Sequence, residues 1–274
     1  MKPSRRQQSR PALDLIEEAV HLLRTAPAGA LAAYCVGTLP FVLGLLYFWA
    51  DMSRSPYARQ HVVEVALGVT LLFVWMKFWQ AMFARQLRAF VSGETPPSLT
   101  VRRGIRIVFG QAALQPTGLF LLPLAALPVL PLAWVYAFYQ NATALADADA
   151  PSLRELFRRC ARQARFWPQQ NHLVLLFLSL FAGFVFLNGC IGCGMLPHLL
   201  KTLFGIETVF SRGGWAMLNT TFFATMACLT YLCLDPILKA VYVLRCFYGD
   251  SIRSGADLRA ELQQAGGQAA QLAV

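Results

Sequence analysis

Residues 151–171 read PSLRELFRRCARQARFWPQQN, and their spacing predicts an amphipathic helix between two prolines. One side of this helix is apolar and the other is rich in arginine. The apolar side consists of Leu153, Leu156, Phe157, Cys160, Ala164 and Trp167, and the basic residues are Arg154, Arg158, Arg159, Arg162 and Arg165. This pattern is typical of a helix in a membrane–water interface, with its apolar face toward acyl chains and its arginines among headgroups. A helix on a soluble domain would show the same pattern, but long apolar runs on both sides favour the membrane.

The composition points the same way. The chain has 274 residues, of which 57% are hydrophobic and 14% are charged. Soluble domains carry about 25% charged residues, so the sequence predicts an all-α, polytopic helical membrane protein. The net charge of +10 would suit nucleic acid, but the arginines stand beside apolar runs and form no recognition motif. They indicate membrane topology and contact with anionic lipid instead, with no nucleic acid among the expected partners.

Apolar runs long enough to cross about 30 Å of hydrocarbon predict about six transmembrane helices in one membrane domain, residues 12–262. The predicted spans are residues 28–50, 62–83, 107–126, 128–146, 172–188 and 215–234. Amphipathic stretches predict interfacial helices at residues 13–26, 99–106, 152–167 and 236–248. Residues 1–11 are expected to be a disordered basic tail and residues 263–274 a flexible tail. Residues 1–27 lack the uninterrupted apolar core of a cleaved signal peptide, because acids interrupt their apolar pattern.

The number of spans depends on residues 107–146, which carry no charge and four prolines. They form either one kinked span or two spans in a hairpin. At 1.5 Å per residue this stretch covers about 60 Å, twice the hydrocarbon thickness, which favours the hairpin. With six spans, most of the 24 Lys and Arg residues fall on the side of the N-terminus. The positive-inside rule then predicts that both termini lie in the cytoplasm.

Four polar residues in or beside apolar runs are candidates for a role inside the membrane: Lys77, Asn141, Asp235 and Lys239. Lys77 either extends to the interface, pairs inside the bundle or contacts a substrate. Asp235 and Lys239 are four residues apart and are expected to pair on one helix face, at a span end or with a role in gating or proton handling. The amides at residues 140–141 and 169–171 are expected to hydrogen-bond between helices or to backbone carbonyls.

Cys190 and Cys193 form a C-x-x-C spacing at the end of a predicted span. The two cysteines are consistent with small-residue packing, with a disulfide in the outer compartment, or with a redox or metal site. The chain lacks the βαβ setting of a redox motif and a second Cys/His pair for zinc. It also lacks the common nucleotide-binding and hydrolase motifs. We therefore expect no catalytic site, no metal and no cofactor.

The end of the chain resembles a known family. Residues 234–236, LDP, and residues 249–258, GDSIRSGADL, are similar to bacterial multi-span proteins related to the membrane domain of glycerophosphoryl diester phosphodiesterases. The family more often has Arg-x-Glu-Gly where this chain has Arg253-Ser254-Gly255. No phosphodiesterase domain is present, so the resemblance implies an integral inner-membrane protein without that activity.

Three functions follow as hypotheses. The first is a non-enzymatic scaffold or accessory subunit in the bacterial inner membrane, which engages anionic lipid or unknown protein partners through a basic cytoplasmic face. Its predicted contact residues are the five arginines of residues 154–165 together with Arg102, Arg103 and Arg106. The alternative is a transporter or permease subunit with a site at the proline-broken residues 107–146, because discontinuous helices often flank substrate sites. The third is an outer redox role for the C-x-x-C pair.

Overall fold

The computed structural model describes residues 11–95, 98–126, 132–147, 152–207 and 219–255, and within these ranges the protein is all-α. The described ranges contain nine α-helices: α1 Ala12–Thr25, α2 Ala28–Arg54, α3 Ala58–Ser92, α4 Val101–Leu114, α5 Gly118–Ala126, α6 Leu132–Ala144, α7 Leu153–Arg165, α8 Pro168–Phe204 and α9 Thr220–Ser254. A short 3₁₀ turn, Gln115–Thr117, joins α4 to α5. The predicted fold class is confirmed at this level.

Five helical segments in the described ranges are long and apolar enough to cross a membrane: α2, α3, residues 101–126, α8 and α9. These segments expose large apolar side chains, among them Leu43, Leu71 and Phe184, each more than half exposed. Such extensive apolar surface is unusual for a soluble monomer. Acyl chains would cover it in a bilayer. The structure therefore describes a membrane protein.

The core is built around the second half of α9, where every residue from Leu238 to Phe247 is buried. A helix that is buried all round lies at the centre of its bundle. Helices α1, α2, α3, α6 and α8 all pack against α9. The predicted interfacial helix at residues 236–248 is therefore wrong, since these residues belong to the core. The helix continues through Pro236, because packing on all sides outweighs the roughly 3 kcal/mol that a proline costs in a helix interior.

Two other predicted boundaries also differ from the structure. The interfacial helix at residues 99–106 and the start of the next span form one helix, α4, which meets its first breaker at Pro116. The fifth span and the outer segment after it also form one helix, α8, which runs to Phe204 and ends at Gly205 with φ 68°. Neither Gly189 nor Pro197 breaks it.

The segment α4–α5 and helix α6 run antiparallel to each other. Gln111 donates to the Ala142 carbonyl at 2.9 Å, and Gln115 donates to the Tyr139 carbonyl at 3.2 Å. Helix α6 is about 20 Å long at 1.5 Å per residue, shorter than the hydrocarbon thickness, and it is buried on nearly all sides. The predicted turn of the hairpin, residues 127–131, lies outside the described residues.

Candidate functional site

Contacts gather the charged ends of six helices at one end of the bundle, which we call the basic end. It consists of the last turns of α3, α6 and α9 together with α1, α4 and α7. Arg88 of α3 pairs with Asp250 of α9 at 3.0 Å, and Gln163 of α7 donates to the same carboxylate at 2.7 Å. Glu18 of α1 accepts from Tyr248 of α9. Segments far apart in the sequence therefore present their charges side by side.

Helix α7 forms the most basic part of this end. It begins at Ser152, whose hydroxyl accepts from the Glu155 amide at 3.3 Å, an N-cap followed by an acid at the third helical position. Its Leu156, Cys160 and Ala164 are buried and pack on protein, mainly α6. The expectation that this face lies among acyl chains is therefore wrong for these three residues. An amphipathic helix buries its apolar stripe against whatever surface is adjacent, and here that surface is protein.

The arginines of α7 consequently point outward. The exposed ones are Arg154, Arg158, Arg162 and Arg165. Arg159 is half-buried and pairs with Glu155 at 3.1 Å. Burial raises the pKa of the Cys160 thiol, so the single cysteine of this helix stays protonated and unreactive at neutral pH. The outward face of α7 is thus a cationic surface without a nucleophile.

The three candidate arginines of α4 have different environments. Arg102 and Arg106 are exposed. Arg103 forms an ion pair with Asp147, which also pairs with Arg85 at 2.7 Å. The Arg103 side chain is 16% exposed, so this arginine holds α3, α4 and the end of α6 together. We therefore do not count Arg103 among the surface contacts that the sequence suggested.

A cavity of about 260 Å³ opens at the basic end between α3, α7 and α9. Its walls carry three guanidinium groups and two carboxylates, from Arg88, Arg159, Arg162, Glu155 and Asp250. Gln163 and Leu145 complete the lining. Neither this cavity nor the participation of Arg88 and Asp250 was visible in the sequence, because the lining residues come from four separate segments: α3, the end of α6, α7 and α9.

A second polar cluster lies deeper, between α3, α6 and α9. The side chains of Asp235 and Lys239 are 4% and 3% exposed, and their Oδ1 and Nζ atoms are 3.5 Å apart. The expected pairing along one helix face is confirmed. Lys239 also donates to Gln140 Oε1 at 2.6 Å. This buried pair thus has a neutral acceptor as well as its ionic partner.

Lys77 joins the deep cluster through Gln80. The Lys77 ammonium donates to Gln80 Oε1 at 3.2 Å, and Gln80 Nε2 donates to both Asp235 and Tyr231 at 2.9 Å. Of the three alternatives for Lys77, this geometry corresponds to pairing inside the bundle. Gln80 is fully buried and connects two helices. The position of Gln80 within an apolar run is the sequence signal that would have identified this residue.

A third cluster centres on Arg245 of α9, which the sequence reasoning missed. Its guanidinium donates to Gln170 Oε1 at 3.1 Å, to Asn171 Oδ1 at 2.6 Å and to the Phe166 carbonyl at 2.8 Å. These bonds hold the connection between α7 and α8, where Trp167 has the left-handed φ of 48°. Residues other than glycine adopt this left-handed backbone region only at a cost in conformational energy. Arg245 therefore fixes the start of α8 against α9.

The expected interhelical role of the amides is confirmed at four positions. Gln140 and Gln170 accept from the basic side chains of α9. Asn171 also accepts from the Tyr242 hydroxyl at 2.6 Å. Asn141 donates to the Cys160 carbonyl at 3.3 Å and accepts from the Cys246 thiol at 3.3 Å. Its partners are packing groups of α7 and α9.

Cys190 and Cys193 lie within α8 and are both free, half-buried thiols. They are three residues apart in a continuous helix, where side chains share a face. Within the described ranges, no group of three or more His, Cys, Asp or Glu side chains is arranged to hold a metal ion. The three alternatives for the pair stay predictions.

Comparison with known proteins adds no assignment. Neither protein-family models, curated proteins nor solved structures give a match for this chain. The similarity of residues 234–258 to the phosphodiesterase membrane-domain proteins therefore stays a prediction.

Proposed function

We propose that this protein is a non-enzymatic integral membrane protein, a scaffold or accessory subunit that engages anionic lipid or a protein partner through its basic end. The observation that supports this most is the outward arginine face of α7. Arg102 and Arg106 of α4 are also exposed at this end of the bundle. By the positive-inside rule this end faces the cytoplasm, with both termini on that side and six spans in a bacterial inner membrane.

The expected strength of this interaction follows from the number of exposed charges. A basic side chain near an anionic membrane surface contributes about 1 kcal/mol. Three arginines of α7 that lie outside the cavity, Arg154, Arg158 and Arg165, therefore contribute about 3 kcal/mol together. That corresponds to roughly a hundredfold preference for anionic over zwitterionic lipid around this helix.

The test is to purify the protein with its surrounding lipid and to measure the ratio of phosphatidylglycerol to phosphatidylethanolamine that it retains. Changing Arg154, Arg158 and Arg165 to glutamine should lower that ratio markedly and weaken its dependence on salt. The matched control changes Arg54, Arg59 and Lys201, which lie at the opposite end, to glutamine. If the α7 variant and the control retain the same lipid and the same co-purifying proteins, the proposal is wrong.

One observation favours a transporter as the second candidate function. Charged side chains buried in a membrane bundle commonly mark ion or proton pathways, and Asp235, Lys239 and Lys77 form such a group. The proline-broken segment is a weaker basis for this alternative, since Gln111 and Asn141 are buried and bonded to backbone carbonyls. A proton flux into proteoliposomes under an imposed potential, abolished by Asp235→Asn, would support transport. An equal flux in the variant would count against it.

A further inference from the structure

The cavity at the basic end has the chemistry of an anion site. Three guanidinium groups and two carboxylates line it, so its walls carry one excess positive charge. Both carboxylates are already engaged: Glu155 pairs with Arg159, and Asp250 accepts from Arg88 and Gln163 through separate oxygens. An incoming anion therefore meets guanidinium donors whose carboxylate neighbours are already bound.

Guanidinium groups with unused donors surround the cavity. Arg88 uses one terminal nitrogen for Asp250, and Arg159 uses Nε for Glu155. Arg162 has no hydrogen bond or ion pair with any residue in the described part of the chain. Arginine presents paired N–H groups that match two oxygens of a phosphate. The cavity thus offers several such donors to one tetrahedral anion.

The size and depth of the cavity restrict its ligand. A volume of about 260 Å³ is smaller than the sites for drug-sized ligands. It suits a phosphate with a short alcohol. Arg88 lies five residues beyond Phe83, where the apolar run of α3 ends, which is about 8 Å along the helix. This is the depth of phospholipid headgroups.

We propose that this cavity binds the phosphodiester headgroup of one anionic phospholipid, such as phosphatidylglycerol. The single negative charge of a phosphodiester neutralises the excess charge of the lining. The inference rests on the proposed function, because it names one defined site on the basic end that otherwise attracts lipid diffusely. Arg162 contributes the uncommitted donor, and Arg88 and Arg159 contribute their remaining N–H groups.

The test measures how tightly one lipid molecule is held by the purified, delipidated full-length protein, by native mass spectrometry and by thermal stabilisation on adding phosphatidylglycerol. Arg162→Gln should weaken this binding about 10- to 100-fold, the value of charge-assisted hydrogen bonds. Arg162→Lys keeps the charge but loses the paired donors, so its affinity for phosphatidylglycerol should lie between those of the wild type and Arg162→Gln. Arg59→Gln, an exposed arginine at the opposite end of the bundle, should change binding less than about threefold.

Two further arms identify the source of the phosphate and separate this inference from the proposed function. Glycerol 3-phosphate and inorganic phosphate should stabilise the protein far less than phosphatidylglycerol, and equal stabilisation would overturn the lipid assignment. Wild-type affinity in Arg162→Gln would overturn the site even if the Arg154, Arg158 and Arg165 variant loses its lipid enrichment. In the reverse result, Arg162→Gln weakens lipid binding but the Arg154, Arg158 and Arg165 variant keeps its lipid enrichment. That result would support the cavity site and refute the proposed function of the outer arginines.

Discussion

Replacing Asp235 with asparagine is expected to lower the free energy of unfolding by about 3–5 kcal/mol, the usual effect of breaking a buried ion pair. Asp235 is the acid nearest to the Lys239 ammonium, which is 3% exposed. Without it, that charge retains only Gln140 as a neutral acceptor. Asparagine has the same size as aspartate and can still accept from Gln80. The loss of stability therefore measures the removal of the carboxylate charge and not the creation of a cavity.

Equilibrium unfolding in mixed micelles, followed by circular dichroism, measures this effect. A loss of 3–5 kcal/mol corresponds to a change of roughly 150- to 5,000-fold in the folding equilibrium constant. The matched control is Asp51→Asn at the opposite end. Asp51 pairs with His61 at 2.7 Å, but the two side chains are 15% and 34% exposed. Partly exposed pairs contribute at most about 1 kcal/mol.

A second substitution separates the charge effect from local disruption. In the double variant Asp235→Asn with Lys239→Met, no unpaired charge remains at this position, and most of the lost stability should return. The expected coupling energy is about 2 kcal/mol or more. If Asp235→Asn is no more harmful than Asp51→Asn, or if Lys239→Met restores nothing, the buried pair does not have the role assigned to it here.

Two further predictions concern the basic end. A Cβ added at Gly249 would lie 3.0 Å from Gln163 Cδ and closer still to its Oε1, so Gly249→Ala should displace Gln163 and lower stability by about 1–3 kcal/mol. Gly104→Ala meets nothing within 4 Å and should be neutral or slightly stabilising by the same unfolding measurement; equal losses in both would contradict this packing. Cysteines introduced at Arg106 and Arg158 should react with an impermeant maleimide from the same side of the membrane, and one at Tyr57 from the other. Labelling of the first two from opposite sides would refute the six-span topology.

The sequence predicted the helix starts that proline determines. The predicted span at residues 28–50 and helix α2 both begin directly after Pro27, and the predicted helix at residues 152–167 matches the start of α7. Helix α8 begins at Pro168, before the predicted span at residues 172–188. Proline is favourable in the first turn because its missing N–H has no partner there anyway. Local rules of this kind operate within a few residues, so a single sequence is sufficient to apply them.

The long-range part of the site was not predictable in the same way. Arg245 and Asn171 are far apart in the chain, and nothing in either segment indicates that the two side chains will meet. Proline was also misleading at Pro236, where the surrounding core keeps α9 continuous. The amide side chains in apolar runs were the one useful signal. They correctly indicated interhelical hydrogen bonds, but not which helices would share them.

In this protein an amphipathic helix pattern therefore does not by itself indicate that the apolar face contacts the membrane. Helix α7 has the pattern of an interfacial helix, yet its central apolar residues pack on protein. What remains exposed is the charge, and α9 determines where that charge lies.

Along α9, polar side chains recur every three or four residues at Tyr231, Asp235, Lys239, Tyr242, Cys246 and Asp250, a single face about 28 Å long at 1.5 Å per residue. The buried contacts of this face fix α3, α6 and α8 relative to α9, and its last member, Asp250, lines the proposed lipid cavity. Weakening the buried pair at Asp235 should consequently loosen the cavity as well, because both belong to one rigid helix.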